Sequence, residues 1–291
     1  MQPVEPMQVL EPRRYARRQL TNKIGLSLSM IAMAFGLSAL LWILWTLFYN
    51  GFSAFSVAFF TESTPAPGTE GGGLLNAIVG SLMMVGVATA ISTPIGILAG
   101  IYLAEFGKTS KFASMTRFVT DIMLSAPSIV IGLFVYAIAV ATFRHFSGWA
   151  GTIALALIAL PVIVRATDNM LQLVPGGLRE AAFALGAPRW KVNLAVALRA
   201  VKGGVVTGVL LAVARIIGET APLLFTALNN QFFSTDMSKP MANLPVVIFN
   251  FAMSPYENWQ ELAWGGAAFI ALIVLAINII ARTLFRDRQR S

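Results

Sequence analysis

Arg215 and Glu219 stand four residues apart in the run VVTGVLLAVARIIGETAPLLF, which carries no other charge and is long enough to lie in a membrane. An arginine at mid-membrane is opposed by roughly 2.5–3.5 kcal/mol on insertion scales, so this one calls for a partner or a task. A guanidinium presents a planar fork of donors matched to phosphoryl or other oxyanion oxygens, and it keeps its charge when dehydrated. Thr220 adds a hydroxyl next to the pair. Together the three side chains can make an anion site. A carboxylate beside that anion repels it unless Glu219 accepts a hydrogen bond from a protonated oxygen, which hydrogen phosphate has and sulfate at neutral pH lacks. The competing reading is structural: an i,i+4 bridge in which the two charges only neutralise each other.

The same run carries Gly204, Gly208 and Ala212 at four-residue spacing, a stripe that lets a neighbouring helix backbone approach closely. At about 100° per residue, Arg215 and Glu219 fall within about 20° of that stripe, which predicts that both turn toward protein or a cavity. Just upstream, Pro175, Gly176 and Gly177 interrupt helix before Leu178, and REAAFALG offers a short helix that Gly186 and Pro188 end. PRWKVNLAVALRAVK restarts a second helix. Glu180, Ala181 and Ala182 leave little bulk on the first of these, while Phe183 and Leu185 supply hydrophobes that need a cover, either a partner or the bilayer surface.

These segments must be positioned by a membrane protein. Of 291 residues, 57% are apolar and only 12% charged, with no cysteine and one histidine, His145; the mean hydropathy is +0.73. Such a composition is that of a polytopic, all-α membrane chain. Disulfides and cysteine-ligated metals are excluded, no metal or catalytic constellation is offered, and GxxxxGK[ST] is missing, so an ATP-driven process needs another polypeptide. The apolar runs read as six spans: about 24–50, 74–104 with Pro94 as a natural bend, 118–143 with Pro127, 149–164 with Pro161, 203–227 and 262–280. Residues 1–23 form a polar N-terminal tail, 24–285 the membrane domain with its 174–202 segment, and 286–291 a C-terminal tail. The stretch 229–261 lacks the length of a span, and its ANLPVVIFNFAM is apolar enough to pack on other chains or dip into the membrane edge. Eighteen of the 21 lysines and arginines fall on one side of this arrangement, with Arg144 and Lys239 on the other. The positive-inside bias then places both termini and the 165–202 segment in the cytoplasm, and accounts for the net charge of +8 without nucleic acid.

REAAFALGAPRWKVNLAVAL resembles the cytoplasmic motif of ABC-importer permeases, which runs EAA, three residues, G, nine residues, then I, any residue, L and P. Glu180, Ala181, Ala182 and Gly186 match it, Val196 and Leu198 stand at the later positions, and Arg199 departs from the proline. Residues 214–237, 242–255 and 94–106 look like the membrane subunits of phosphate-specific ABC importers, the PstA type, and the likeness runs from about Gly72 to Phe285. The resemblance implies a six-span type I importer permease of the bacterial inner membrane with no cofactor of its own. It implies pairing with a second permease subunit, two cytoplasmic ATPase subunits that bind ATP and magnesium, and an external phosphate-binding protein. It also implies that residues 180–186, Phe183 among them, form the coupling helix, and that Arg215 matches an arginine associated with phosphate translocation. A permease for another oxyanion and a self-sufficient ion-coupled carrier are the alternatives.

Overall fold

The computed structural model describes residues 12–107 and 110–284, and every regular element among them is a helix. The chain divides into two compact units, Met1–Tyr49 and Asn50–Ser291. Helix α1, Pro12–Ser53, supplies the first unit. It starts well ahead of the expected span, so Arg14, Arg17 and Arg18 belong to its first turns and not to a separate tail. The expected C-terminal tail, 286–291, lies outside the described residues.

In the second unit α2 is Val57–Thr61, α3 Leu75–Phe106, α4 Lys111–Ser125 and α5 Ser128–Phe143. Then come α6 Gly148–Gln172, α7 Gly176–Ala184, α8 Arg189–Ala200 and α9 Lys202–Ile217. The last three are α10 Ala221–Thr226, α11 Leu244–Ala252 and α12 Glu257–Leu284. Among the described residues four helices are long and apolar enough to cross a membrane, and two sharply bent pairs, α4 with α5 and α8 with α9, bring the number of candidate spans to six if each pair is one span.

Helix α6 is the hub. Along α3 the residues Gly80, Met84, Ala88, Ser92, Gly96 and Gly100 are all buried at four-residue spacing. A Cβ on Gly96 would lie 2.8 Å from Ile163 Cγ2, one on Gly100 2.5 Å from Thr167 Cβ, and one on Gly151 2.9 Å from Met84 Sδ. These contacts rise together in both sequences, so α3 and α6 run parallel. On another side of α6 the Gly204 stripe packs the opposite way: Gly204 abuts Met170 and Gly208 abuts Ala166, with Ala212 fully buried. Close approach at two flanks is what small residues permit and larger ones forbid.

Three expectations are corrected. The 118–143 run is not one helix, because Pro127 holds Ala126 in an extended conformation and α4 meets α5 at 106°. By contrast Pro161 leaves α6 unbroken, and that helix runs past 164 to Gln172, carrying Arg165 and Asp168 with it. Finally, the 203–227 run stops at Ile217 and resumes at Ala221, since Pro222 has no N–H to continue the ladder and Gly218 has little helix propensity. Helix α11, in the stretch read as apolar enough to pack on other chains or dip into the membrane edge, packs Leu244, Val247 and Phe251 into a core with Phe59, Leu74 and Leu262 of its own chain, while Phe249 and Met253 stay exposed. The segment before it is stapled down by backbone bonds from Ser147 N to Thr226 O, Trp149 N to Met237 O and Met241 N to Ala227 O.

Replacing Gly100 with leucine should lower the melting temperature and yield of purified protein, by about 1–3 kcal/mol or more of overpacking against Thr167 and Val164. Gly86→Leu, where an added Cβ meets nothing within 4 Å, is the control. Equal melting temperatures for the two would remove the case for close packing.

Candidate functional site

Arg215 lies in the last turn of α9, one residue from the buried Ile216, with its side chain 40% exposed; that of Glu219 is 15% exposed. Nε of Arg215 is 3.5 Å from Oε1 of Glu219, longer than an ordinary N–H···O bond. The helical-wheel projection onto the Gly208 stripe still applies to Arg215, which lies on the same continuous helix, but fails for Glu219. Glu219 lies past the end of the helix, where 100° per residue no longer applies. Its amide donates to Ile216 O at 3.4 Å, and Thr220 follows as the first residue before α10. The break thus gathers a loosely paired guanidinium, a half-buried carboxylate and a hydroxyl at one helix end.

Helix α7 begins at Gly176, two residues earlier than expected, and Gly186 ends its turn with a φ of +76° that glycine adopts without strain. None of its residues is buried, Phe183 is half-exposed and Leu185 is 90% exposed. Glu180 and Ala181 are exposed and Ala182 partly so, which leaves an open, small-residue second turn.

Sequence spacing gave no sign of the ion pairs that hold this region. Arg117 of α4 donates from Nε to Asp168 Oδ2 at 3.1 Å and from Nη2 to Oδ1 at 3.3 Å, and its other bonds reach Leu103 O at 2.7 Å and Gly107 O at 3.2 Å. Gln172 donates to the same carboxylate at 2.8 Å, and Asp168 is 1% exposed. Arg179 of α7 donates from Nη2 and Nε to Glu105 Oε1 at 2.8 and 3.1 Å, and to Val174 O and Leu171 O at 2.8 and 2.9 Å. These partners lie 51 and 74 residues apart in the chain, so only the fold brings them together. A cleft of about 870 Å³ opens among Glu105, Arg117, Gln172, Arg179 and Glu180. Among the described residues no cluster of three or more metal-ligating side chains occurs.

Residues 96–287 match the family model described as binding-protein-dependent transport system inner membrane component. A Yersinia pestis protein named phosphate transport system permease protein PstA is 57% identical over 97% of this chain and 96% of its own length. The protein of that name from Haemophilus influenzae is 58% identical over 95% of this chain and 98% of its own.

The chain belongs to the PstA family of membrane permeases.

PstA relatives at lower identity extend to Mycobacterium tuberculosis, where a protein named PstA 1 is 35% identical over 96% of this chain. The fold is shared more widely. An inward-facing structure of the MetNI methionine ABC transporter superposes with a TM-score of 0.60 at 19% identity, covering 75% of this chain and 96% of that one. A bacterial ABC transporter involved in import of the polysaccharide alginate gives 0.60 at 13% identity and covers 95% of this chain and 99% of that one. The PstA permease thus has the type I ABC-importer permease fold.

Arg117→Met would strand the buried Asp168 carboxylate, and the purified protein should lose on the order of 3–5 kcal/mol, read as a lower melting temperature. Arg117→Met/Asp168→Leu should recover part of that loss. A double variant no more stable than the single would mean that Asp168 finds another partner.

Proposed function

We propose that this permease is the membrane subunit through which an ATP-driven importer passes inorganic phosphate, and that Arg215 meets the anion on its way. The observation that carries the site is a contrast among arginines. Arg117 and Arg179 are saturated by carboxylates and carbonyls at 2.7–3.3 Å, whereas Arg215 has a carboxylate only at 3.5 Å and is 40% exposed; Arg165, as loosely held by Asp121 at 3.6 Å, lies in a stretch that also carries Asp168, while the run around Arg215 carries no charge but Glu219. A charge that the chain itself leaves so loosely held is available to a ligand whose oxygens fit its fork. Glu219 then accepts a hydrogen bond from the protonated oxygen of hydrogen phosphate and disfavours sulfate, and Thr220 offers a further bond.

No covalent chemistry is asked of this chain. ATP and magnesium belong to two partner ATPase subunits, and cargo arrives from an external phosphate-binding protein. A second permease subunit covers the face on which Arg215 opens. Helix α7, from Glu180 through Ala181, Ala182 and Phe183 to Gly186, docks into an ATPase groove, which supplies the cover that Phe183 and Leu185 lack. The charge distribution supports an orientation in the bacterial inner membrane with α7 and both termini in the cytoplasm.

Two experiments bear on this. In proteoliposomes holding the full complex and its binding protein, Arg215→Met/Glu219→Gln should assemble normally yet lower radiolabelled phosphate uptake about 10- to 100-fold, the loss expected for a charge-assisted bond of about 1.5–3 kcal/mol. Near-normal uptake would reduce the pair to a salt bridge. Ala182→Arg should leave membrane insertion intact and abolish co-purification of the ATPase subunits, and retention of the ATPase at wild-type yield would return α7 to the bilayer surface.

A further inference from the structure

Because α3 and α6 are parallel, their C-termini lie at one end of the bundle, each with a carboxylate close by: Glu105 on α3, Asp168 on α6. Two parallel helix dipoles and two acids would concentrate negative charge there. The chain answers with two arginines, and their bonds cross. Arg117 caps α3 through Leu103 O and Gly107 O but takes its carboxylate from α6. Arg179 caps the end of α6 through Leu171 O and Val174 O but takes its carboxylate from α3. Each guanidinium therefore ties the end of one helix to the side chain of the other.

We infer that Arg179 is a positioning residue for transport, a strut that makes α7 move as one body with the inner ends of α3 and α6. This rests on the reading of α7 as the ATPase-coupling helix. The contacts α7 makes through its own packing are too slight for that task, since none of its residues is buried. The one side chain of α7 shown bonded to both long helices is Arg179, which is 20% exposed and joined to a Glu105 that is 14% exposed. A fork is needed, because a lysine places one point charge and cannot reach a carboxylate and two carbonyls in fixed directions. The strut serves throughout the cycle, so displacement at α7 is delivered to α3 and α6 without slack.

The test counts ATP hydrolysed per phosphate imported by the full complex in proteoliposomes. Arg179→Met and Glu105→Ala should each raise that ratio by about tenfold while the ATPase subunits still co-purify, and Arg179→Lys should behave like Arg179→Met. Since the chain has no cysteine, Glu105→Cys/Arg179→Cys can be closed with a short bis-maleimide after assembly. The unlinked double variant should be uncoupled and the linked one restored, a rescue that a defect in folding would not show. An unchanged ratio in Arg179→Met, failure of the two cysteines to link in the assembled complex, or a linked form that stays uncoupled would each overturn the strut. Wild-type complex that imports no phosphate would instead overturn the functional reading on which the strut rests.

Discussion

The close approach of two helices to α6 is the constraint from which the rest of the second unit follows. Glycines at 96 and 100 on α3 and at 204 and 208 on α9 bring backbone against α6 so tightly that a single added carbon at any of them would collide with it. Lipid tails are as apolar as leucine, so hydrophobicity alone gives two helices no reason to prefer each other in a membrane. Shape supplies the preference. With α6 held on both flanks, its own Pro161 cannot break it, whereas Pro127, at the junction of α4 and α5, turns the chain by 106°.

Packing along the helices and charge between them divide the work. Apart from Arg215 and Glu219, the described ion pairs of the second unit join different helices, as Arg117 with Asp168, Arg165 with Asp121 and Arg179 with Glu105, or lie in a loop, as Lys239 with Asp236. Arg117 and Arg179 are nearly saturated and hold structure. Arg215 is loosely held, near a helix break. Broken helices that line a protected path are a recurrent means of placing polar groups at membrane depth without exposing backbone to lipid.

What was legible in the sequence is what local spacing can encode. Uncharged runs gave six spans, Gly186 and Pro188 gave the helix–turn–helix of α7 and α8, and the four-residue period of Gly204, Gly208 and Ala212 gave a packing stripe. What was not legible depends on distant partners or on where a helix stops. Arg179 looked like one more residue at the start of a short helix, because nothing near it in sequence announces Glu105. Projecting Glu219 onto the Gly208 face assumed a helix that Gly218 and Pro222 end first. Length estimates failed for α6 because a helix continues through charged residues when Asp168 and Arg165 find partners on α4, at Arg117 and Asp121.

The parallel pairing of α3 with α6 also has a bearing on biogenesis. Neighbours that run the same way cannot enter the membrane as a hairpin, since the chain must first return through α5. Between completion of α3 at Phe106 and of α6 at Gln172 the ribosome adds some 66 residues, which at about 5–20 residues per second takes roughly 3–13 s. For those seconds the glycine stripe of α3 has no mate and must rest against lipid or the insertion machinery. The permease is thus most vulnerable to mispairing while it is being made, and its most tightly fitted seam is one that closes only in retrospect.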